Sequence, residues 1–468
     1  MIINTPLLKE TFFDYIETIL SDQKNKKYPK LCSFAFPLNN INIPLIINNL
    51  KENYFYWNTT IEYEEFLGIN PLYKINEFGE HRIDNTGIKI SDLQNNFVSN
   101  WSKINLTNIP LVMGGIKFSP NQQSETWKDF SDSDWFIPEI IFLKKNKKYY
   151  IVLNLFIGSN IEHIKDKFEN VIEYLQKLTE FQDDLDEQAV IKNIYSEPVE
   201  KWYSIINSVL SKISNGELKK TVLSREVKLE LDKKPIVSEM LKKLNLNYPD
   251  CYIFAFRKGD SVFIGASPEK LVKISRKVLE IDALAGSVAR GKTEAEDKEL
   301  EEFLLNSEKN LNEQKAVVTF IKDLLMNISA EIDYDEKVLI RKLPNIQHLW
   351  TPITANLQNG YMLFDVLKAL HPTPAICGTP WDLARDTILK LEEHDRGLYS
   401  GNIGWFNFDG DGEFAVGIRS ALIKQNEIYA YAGCGIVKGS EPQSEFEESE
   451  IKLKPILSLF VDEKVYQP

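Results

Sequence analysis

The stretch Gly404-Trp-Phe-Asn-Phe-Asp-Gly-Asp-Gly-Glu-Phe-Ala-Val-Gly-Ile-Arg-Ser-Ala-Leu-Ile423 carries the clearest fold signal in the chain. Two β-like runs, Gly404–Phe408 and Phe414–Ile423, flank the turn-rich Asp409-Gly-Asp-Gly-Glu413. That turn lacks the remaining ligands of a calcium loop and reads as a tight hairpin, which joins antiparallel neighbours. Similar short runs lie upstream at Lys220–Leu231, Tyr252–Phe256, Ser261–Gly265 and Val278–Leu284, separated by turns. A long helix is predicted over about Glu294 to Ile328. Strands joined by hairpins with helices interspersed give an α+β class with mostly antiparallel sheets.

Further upstream, Ile161, Ile164, Phe168, Ile172 and Leu175 recur at three- and four-residue steps, predicting an amphipathic helix over Asn160–Phe181. The acidic stretch Gln182-Asp-Asp-Leu-Asp-Glu-Gln188 follows. Ser196 reads as a helix N-cap with Pro198 in the first turn, and Asn215-Gly216 as the stop of that helix. The composition shift places a division between 182 and 197.

Composition narrows the function classes. The 468 residues are 43% apolar and 26% charged, ordinary for a globular core. Lys and Arg total 55 against 68 Asp and Glu, a net charge of −13 with no concentrated basic patch, so no nucleic-acid partner is expected. The longest apolar run, Tyr149 to Gly158, falls well short of the roughly 20 residues that span a bilayer, so no membrane association is expected. Met1-Ile-Ile-Asn-Thr-Pro6 has no basic secretory character, and Cys32, Cys251, Cys377 and Cys434 form no CxxC pair. A cytoplasmic protein with free thiols is the expectation.

Three sets of polar residues fall on faces that should be buried. Glu313 shares a helical face with Val317, Phe320 and Leu324. Alone, such a Glu is commonly the edge of an apolar stripe. Ser440-Glu-Pro-Gln443 resembles a capping-box start, after which Glu445, Glu448 and Lys452 lie on the face continued by Ile456 and Leu459; Glu447 and Glu450 point elsewhere. In the run after the hairpin, Ala415, Gly417, Arg419 and Ala421 form a face of small residues around one guanidinium, suited to clamping a carboxylate. Clustered carboxylates without His or Cys ligands suit Mg²⁺, which shares its coordination with substrate oxygens. A magnesium site facing an anionic small molecule is the reading these residues support.

Other motifs carry less. Gly433-Cys-Gly435-Ile-Val-Lys-Gly439 has its third glycine one residue late for a dinucleotide fingerprint and fits a backbone nest for a carboxylate better. His81, His163 and His394 read as surface histidines, whereas His371 sits in the Pro-rich Leu370-His-Pro-Thr-Pro-Ala375. That loop leads to Thr379-Pro-Trp-Asp382, a helix start whose amides could face an anion.

Taken together, Lys220-Thr-Val-Leu-Ser-Arg225, Gly265-Ala-Ser-Pro-Glu-Lys270, Ala283-Leu-Ala-Gly-Ser287, Leu370-His-Pro-Thr-Pro-Ala-Ile-Cys-Gly378, Arg396-Gly-Leu-Tyr-Ser-Gly401, Ala432-Gly-Cys-Gly-Ile436 and the Ser440-to-Lys452 helix resemble the chorismate-utilising enzymes, in family order. The resemblance implies an α/β/β/α sandwich, two mostly antiparallel sheets packed face to face with helices outside. Residues 1–190 would complete the sandwich and 191–468 would form the chorismate-binding catalytic region. It implies Mg²⁺ held by Glu313, Glu445 and Glu448. Arg419, Tyr399, Lys452 and the Gly433 and Gly435 amides would hold the substrate carboxylates, with His371 and Ser287 beside the ring. Glu269 resembles the acid that protonates the leaving 4-hydroxyl.

Lys220 separates the subfamilies. Water must lose a proton to attack the ring, whereas ammonia arrives nucleophilic, and the water-using members carry Lys at this position. Phe55-Tyr-Trp57, Gly114-Gly-Ile-Lys-Phe118 and Trp127 are most similar to menaquinone-type isochorismate synthases. Departures are Ser287 where Thr is common, Cys434 where Ala is common, and Asn310 where ammonia users tend to be acidic. The resemblance therefore implies Mg-dependent conversion of chorismate to isochorismate without a glutaminase subunit, in menaquinone or siderophore biosynthesis. Its alternatives are a salicylate synthase, which also eliminates pyruvate, and a catalytically dead chorismate-binding paralogue.

Overall fold

Tyr54, Phe55, Tyr56 and Trp57 are consecutive in one strand and all buried, so their sheet must be covered on both faces. The computed structural model, which describes residues 5–21, 30–60, 64–121, 124–158, 161–179 and 189–460, shows how. Phe55 and Trp57 enter a core shared with Phe254, Phe256, Trp405 and Phe414, while Tyr54 and Tyr56 enter a second core with Ile253 and Ala255.

All strands belong to one continuous ladder that folds into two layers. In the first layer Lys30–Leu38 is followed by Lys148–Ile157, Ser133–Lys145, Glu64–Glu77, Tyr54–Thr59, Tyr252–Lys258, Ser261–Ser267, Ser420–Lys424, Glu427–Ile436 and Lys220–Leu231. The second runs Val112–Ile116, Asn402–Phe406, Gly412–Val416, Lys270–Ser275, Val278–Ala289 and Ile346–Leu357. The long strand Ser133–Lys145 joins the layers, its first residues pairing with Val112–Ile116 and its last with Lys148–Ile157. Pairing is antiparallel except between Leu31–Ser33 and Phe97–Ser99. Edge-to-face contact of Phe66 on Trp405, at 6.3 Å between centroids, ties the layers across the inner core.

Helices cover both outer faces. Thr5–Ser21, Ile161–Thr179, Val237–Asn247 and Pro442–Leu457 bury Phe12, Phe168, Leu241 and Ile456 against the first layer. Arg82–Gln94, Glu308–Ile328 and Leu363–Leu370 bury Ile90, Ile321 and Leu367 against the second. This is the α/β/β/α sandwich.

The chain crosses between layers twice at one place. Ser261–Ser267 passes to Lys270–Ser275 through Pro268-Glu269, and Gly412–Val416 passes to Ser420–Lys424 through Gly417-Ile418-Arg419. The crossings are bonded to each other, Val416 N–H to Glu269 O at 3.1 Å and Ala266 N–H to Arg419 O at 3.1 Å. Arg419 takes a left-handed φ of +51°, rare for a residue with a side chain.

Several local expectations are corrected. Phe414–Ile423 is two strands in different layers, because that left-handed turn breaks it. The turn before it is organised by Asn407, whose Oδ1 accepts from the amides of Asp409 (2.9 Å) and Asp411 (3.1 Å). Glu294 to Ile328 is two helices, Glu294–Asn306 and Glu308–Ile328, because Ser307 is extended and caps the second. Ser196 ends the strand Ile191–Ser196, which pairs with Lys220–Leu231, and Pro198 is the N-cap of Val199–Ser214. Ser440 forms no capping box: its Oγ accepts from Val437 N–H at 3.2 Å, and Glu441 precedes the helix. The acidic stretch 182–188 lies outside the described residues. Among them, no helix is long and apolar enough to cross a membrane, and the four cysteines are free and buried.

Candidate active site

The paired crossings floor a cavity that encloses about 750 Å³ up to its mouth. Glu269 and Arg419 enter from the crossings and Ser287 from the second layer. Glu313 comes from the helix Glu308–Ile328, Glu445, Glu448 and Lys452 from the helix Pro442–Leu457. Tyr399, Gly433 and Gly435 complete the wall.

Each of the three acidic side chains supplied by helices has an ammonium partner. Lys220 Nζ lies 2.7 Å from Glu313 Oε1, Lys309 Nζ 2.8 Å from Glu445 Oε1, and Lys452 Nζ 2.6 Å from Glu448 Oε1. Lys220 is itself buried behind the wall. Burial pushes the Glu313 carboxyl up, but Lys220, aided by Lys452 and Lys309, outweighs it and holds the carboxyl below its ordinary range. Glu445 is raised, first by burial and then by the charge of Glu448. For Lys452, burial works against the charge and Glu448 more than offsets it, so the ammonium is raised.

Glu269 differs in kind. Burial, reinforced by Asp282 and opposed by Arg419 and Lys220, pushes its carboxyl up to about 7. It is therefore a carboxyl that holds a proton near neutrality, the property of a general acid.

The glycines make room. A Cβ at Gly435 would lie 2.7 Å from Glu313 Oε1 and 3.0 Å from Lys220 Cε; one at Gly433 would lie 3.0 Å from the Tyr399 hydroxyl. Both are extended residues of Glu427–Ile436, paired with Lys220–Leu231, so this segment is a strand and not a nest. The Gly433 carbonyl accepts from Lys452 at 2.9 Å.

Ligand chemistry at the acidic end is hard. Oxygens of Glu445 and Glu448 and Cys434 Sγ all lie within 4.8 Å of one another, with Glu313 outside that group. The Cys434 S–H donates to the Glu445 carbonyl at 3.1 Å, and burial first, then Glu448, keep the thiol far above its usual range. A protonated thiol is a poor ligand, so two mutually repelling carboxylates remain, Glu445 buried and Glu448 half-buried, a donor set that fits Mg²⁺.

Three expectations are corrected. His371 is not on this cavity: its Nε2–H donates to the Lys117 carbonyl at 3.0 Å, and it lines a second cavity behind the loop. His394 is no surface residue; its ring is nearly buried, with Nε2 2.9 Å from Ser224 Oγ. Glu450, expected to point outward, forms an ion pair with the buried Arg225.

The sequence reading passed over His348. It lines the cavity, its Nδ1 lies 2.8 Å from Ser287 Oγ, and burial, aided by Arg419, keeps it neutral. Its signal is the consecutive polar pair Gln347-His348 near the start of a strand, both buried, a break in alternation. Lys309, also lining the cavity, carries no signal separable from surface polarity of a helix start, and Asn310, noted in the sequence as a departure from the ammonia users, lines it too.

The model of the chorismate binding enzymes matches residues 16–461. The chain belongs to that family. It is 34% identical to the isochorismate synthase MenF of Bacillus subtilis over 356 residues, 76% of this chain and 75% of that one. It is 32% identical to the salicylate biosynthesis isochorismate synthase of Pseudomonas aeruginosa, over 74% of this chain and 73% of that one. Among solved structures, the menaquinone-specific isochorismate synthase MenF of Escherichia coli superposes with a TM-score of 0.80 at 24% identity, covering 97% of this chain and 99% of that one, a likeness of fold. Chorismate-binding enzymes thus share the layered sandwich described above.

Proposed function

We propose that this chain is an isochorismate synthase, converting chorismate to isochorismate by attack of water at C2 with loss of the C4 hydroxyl. The observation that carries the reading is the pairing of opposite proton tasks around one cavity. Glu269 holds a proton to about neutral pH, and Lys220 is a buried amine behind the cavity wall at Gly435, its Nζ 2.7 Å from Glu313 Oε1. Lys220, deprotonated, takes a proton from the attacking water, and Glu269 delivers one to the departing hydroxyl, so the reaction is proton-neutral overall.

Glu445 and Glu448 are the residues to hold Mg²⁺, with Glu313, which lies outside that group and pairs with Lys220, as the third carboxylate that the family resemblance implies. Bound there, the ion supplies charge stabilisation and a fixed anchor for a substrate carboxylate. Arg419, Tyr399 and Lys452 orient the remaining carboxylate and exclude other poses, and Ser287 is held by His348 beside the ring. We read residues 1–190 as part of the sandwich and no glutaminase subunit as required, since water is the nucleophile.

Incubation with chorismate and Mg²⁺, followed by chromatographic separation, tests this. Isochorismate without pyruvate is expected. Stoichiometric pyruvate with salicylate moves the assignment to a salicylate synthase, and absence of turnover to a non-catalytic paralogue.

A further inference from the structure

The loop that carries Ala375 and Ile376 into the active-site cavity presents its other end, His371-Pro372, to a second cavity enclosing about 870 Å³ up to its mouth. Arg82 and Arg385 both line it. Arg82 is buried, yet it makes only long contacts of 3.4 Å to the Gly79 and Lys117 carbonyls, and its Nε has no partner. The Nε of Arg385 is likewise buried without a partner, while its guanidinium stacks on Trp381 at 4.6 Å. The two cations repel each other, and burial is the larger force that lowers Arg82.

The neighbouring carboxylates answer this charge only in part: the charges of Asp132 and Glu80 reach Arg82 without outweighing its burial, and the exposed Asp386 lies 3.7 Å from Arg385 Nη2. Asp132 accepts from the amides of Gly79 (2.9 Å) and Asn121 (3.1 Å), Asp84 is occupied by Lys368 at 2.8 Å, and Glu80 is exposed on the rim. The helix Arg82–Gln94 starts at this cavity, and its N-cap, His81, makes no side-chain capping bond. Two forked donors with unused N–H groups beside an uncapped helix start make an environment for a planar or tetrahedral oxyanion.

We propose that this cavity is a second oxyanion-binding site, separate from the active site, for a small dicarboxylate or phosphate. Arg82 and Arg385 are its paired donors. It stands independently of the isochorismate synthase reading, because none of its groups serves that chemistry.

Calorimetric titration of the full chain with inorganic phosphate and, separately, with succinate at constant ionic strength tests it, on wild type, Arg385→Gln and Arg419→Gln. Arg385 is half-exposed on a helix, so its replacement leaves the core intact. Saturable binding of at least one probe is expected in wild type and within about twofold in Arg419→Gln. Arg385→Gln should bind at least about tenfold more weakly, the worth of one charge-assisted bond. The responding probe distinguishes phosphate from carboxylate. No saturable binding to wild type, retention in Arg385→Gln, or loss in Arg419→Gln overturns the proposal, the last two placing the oxyanion elsewhere.

Discussion

Lys220 Nζ and Glu313 Oε1, 93 positions apart in sequence, lie 2.7 Å apart beneath Gly435. The amine assigned to activate water and a carboxylate assigned to the metal are thus one ion pair, so perturbing either acts on both tasks. General-base assistance is typically worth ~10²–10⁴-fold. Lys220→Ala should lower kcat by about that range with a smaller change in KM, because Arg419, Tyr399 and Lys452 still orient substrate. Steady-state kinetics with chorismate decide it; near-normal kcat removes Lys220 as base.

The pH profile should carry Glu269. Its carboxyl is raised to about 7, so it is protonated and competent as an acid below that value and ionised above it. In wild type kcat/KM should therefore fall on the alkaline side from about pH 7. Glu269→Gln, which cannot donate a proton, should lose on the order of 10²–10⁴-fold and that limb with it. A flat wild-type profile through pH 9 contradicts the assignment.

Metal binding should discriminate among the acids of one helix. Glu445→Gln should weaken Mg²⁺ binding, and Glu447→Gln, exposed, should not. Glu450→Gln is a different matter, since it removes the charge paired with the buried Arg225, and should destabilise the fold by about 1–3 kcal/mol without changing Mg²⁺ affinity. Isothermal titration and chemical denaturation separate the three outcomes.

Gly435→Ala tests space alone. Its Cβ would meet Glu313 and Lys220 at 2.7 and 3.0 Å, so the ion pair must shift. Activity should fall by at least about tenfold, since a misplacement near 1 Å is costly. Circular dichroism should be unchanged.

Acid should destabilise the fold through His371. Burial first, then Arg82, lowers its ring to about 3, whereas an unfolded His titrates near 6.5. Between those values the unfolded chain binds the extra proton, so stability is lost as pH falls through 6.5 toward 3, at up to about 1.4 kcal/mol per pH unit from this group. Urea denaturation at pH 7 and pH 5 should show the loss, and His371→Gln should flatten the slope.

The residues legible from sequence are those that break a period. Glu313, Glu445 and Glu448 stood out against apolar helix faces, and all reach the cavity. What was illegible depended on backbone or on distant partners. A left-handed turn at Arg419 cannot be told from strand continuation when Phe414, Val416 and Ile418 alternate right up to it. Glu450 looked like helix decoration because its partner, Arg225, lies 225 positions away. The faces of Glu308–Ile328 were also slightly misread: Gln314, Val317, Ile321 and Leu325 form the buried stripe, and Glu313 stands at its edge, where a side chain can reach both core and cavity.

The double crossing at Glu269 and Arg419 also governs when the site comes into being. Each crossing is bonded to the other across about 150 residues of chain, and Lys220 meets Glu313 only when the helix Glu308–Ile328 docks on its sheet. Contacts of such long sequence separation close late and slowly, since loop-closure entropy precedes their reward. In refolding, secondary structure should therefore return before any turnover, and the recovery of catalysis should track the final, slowest phase.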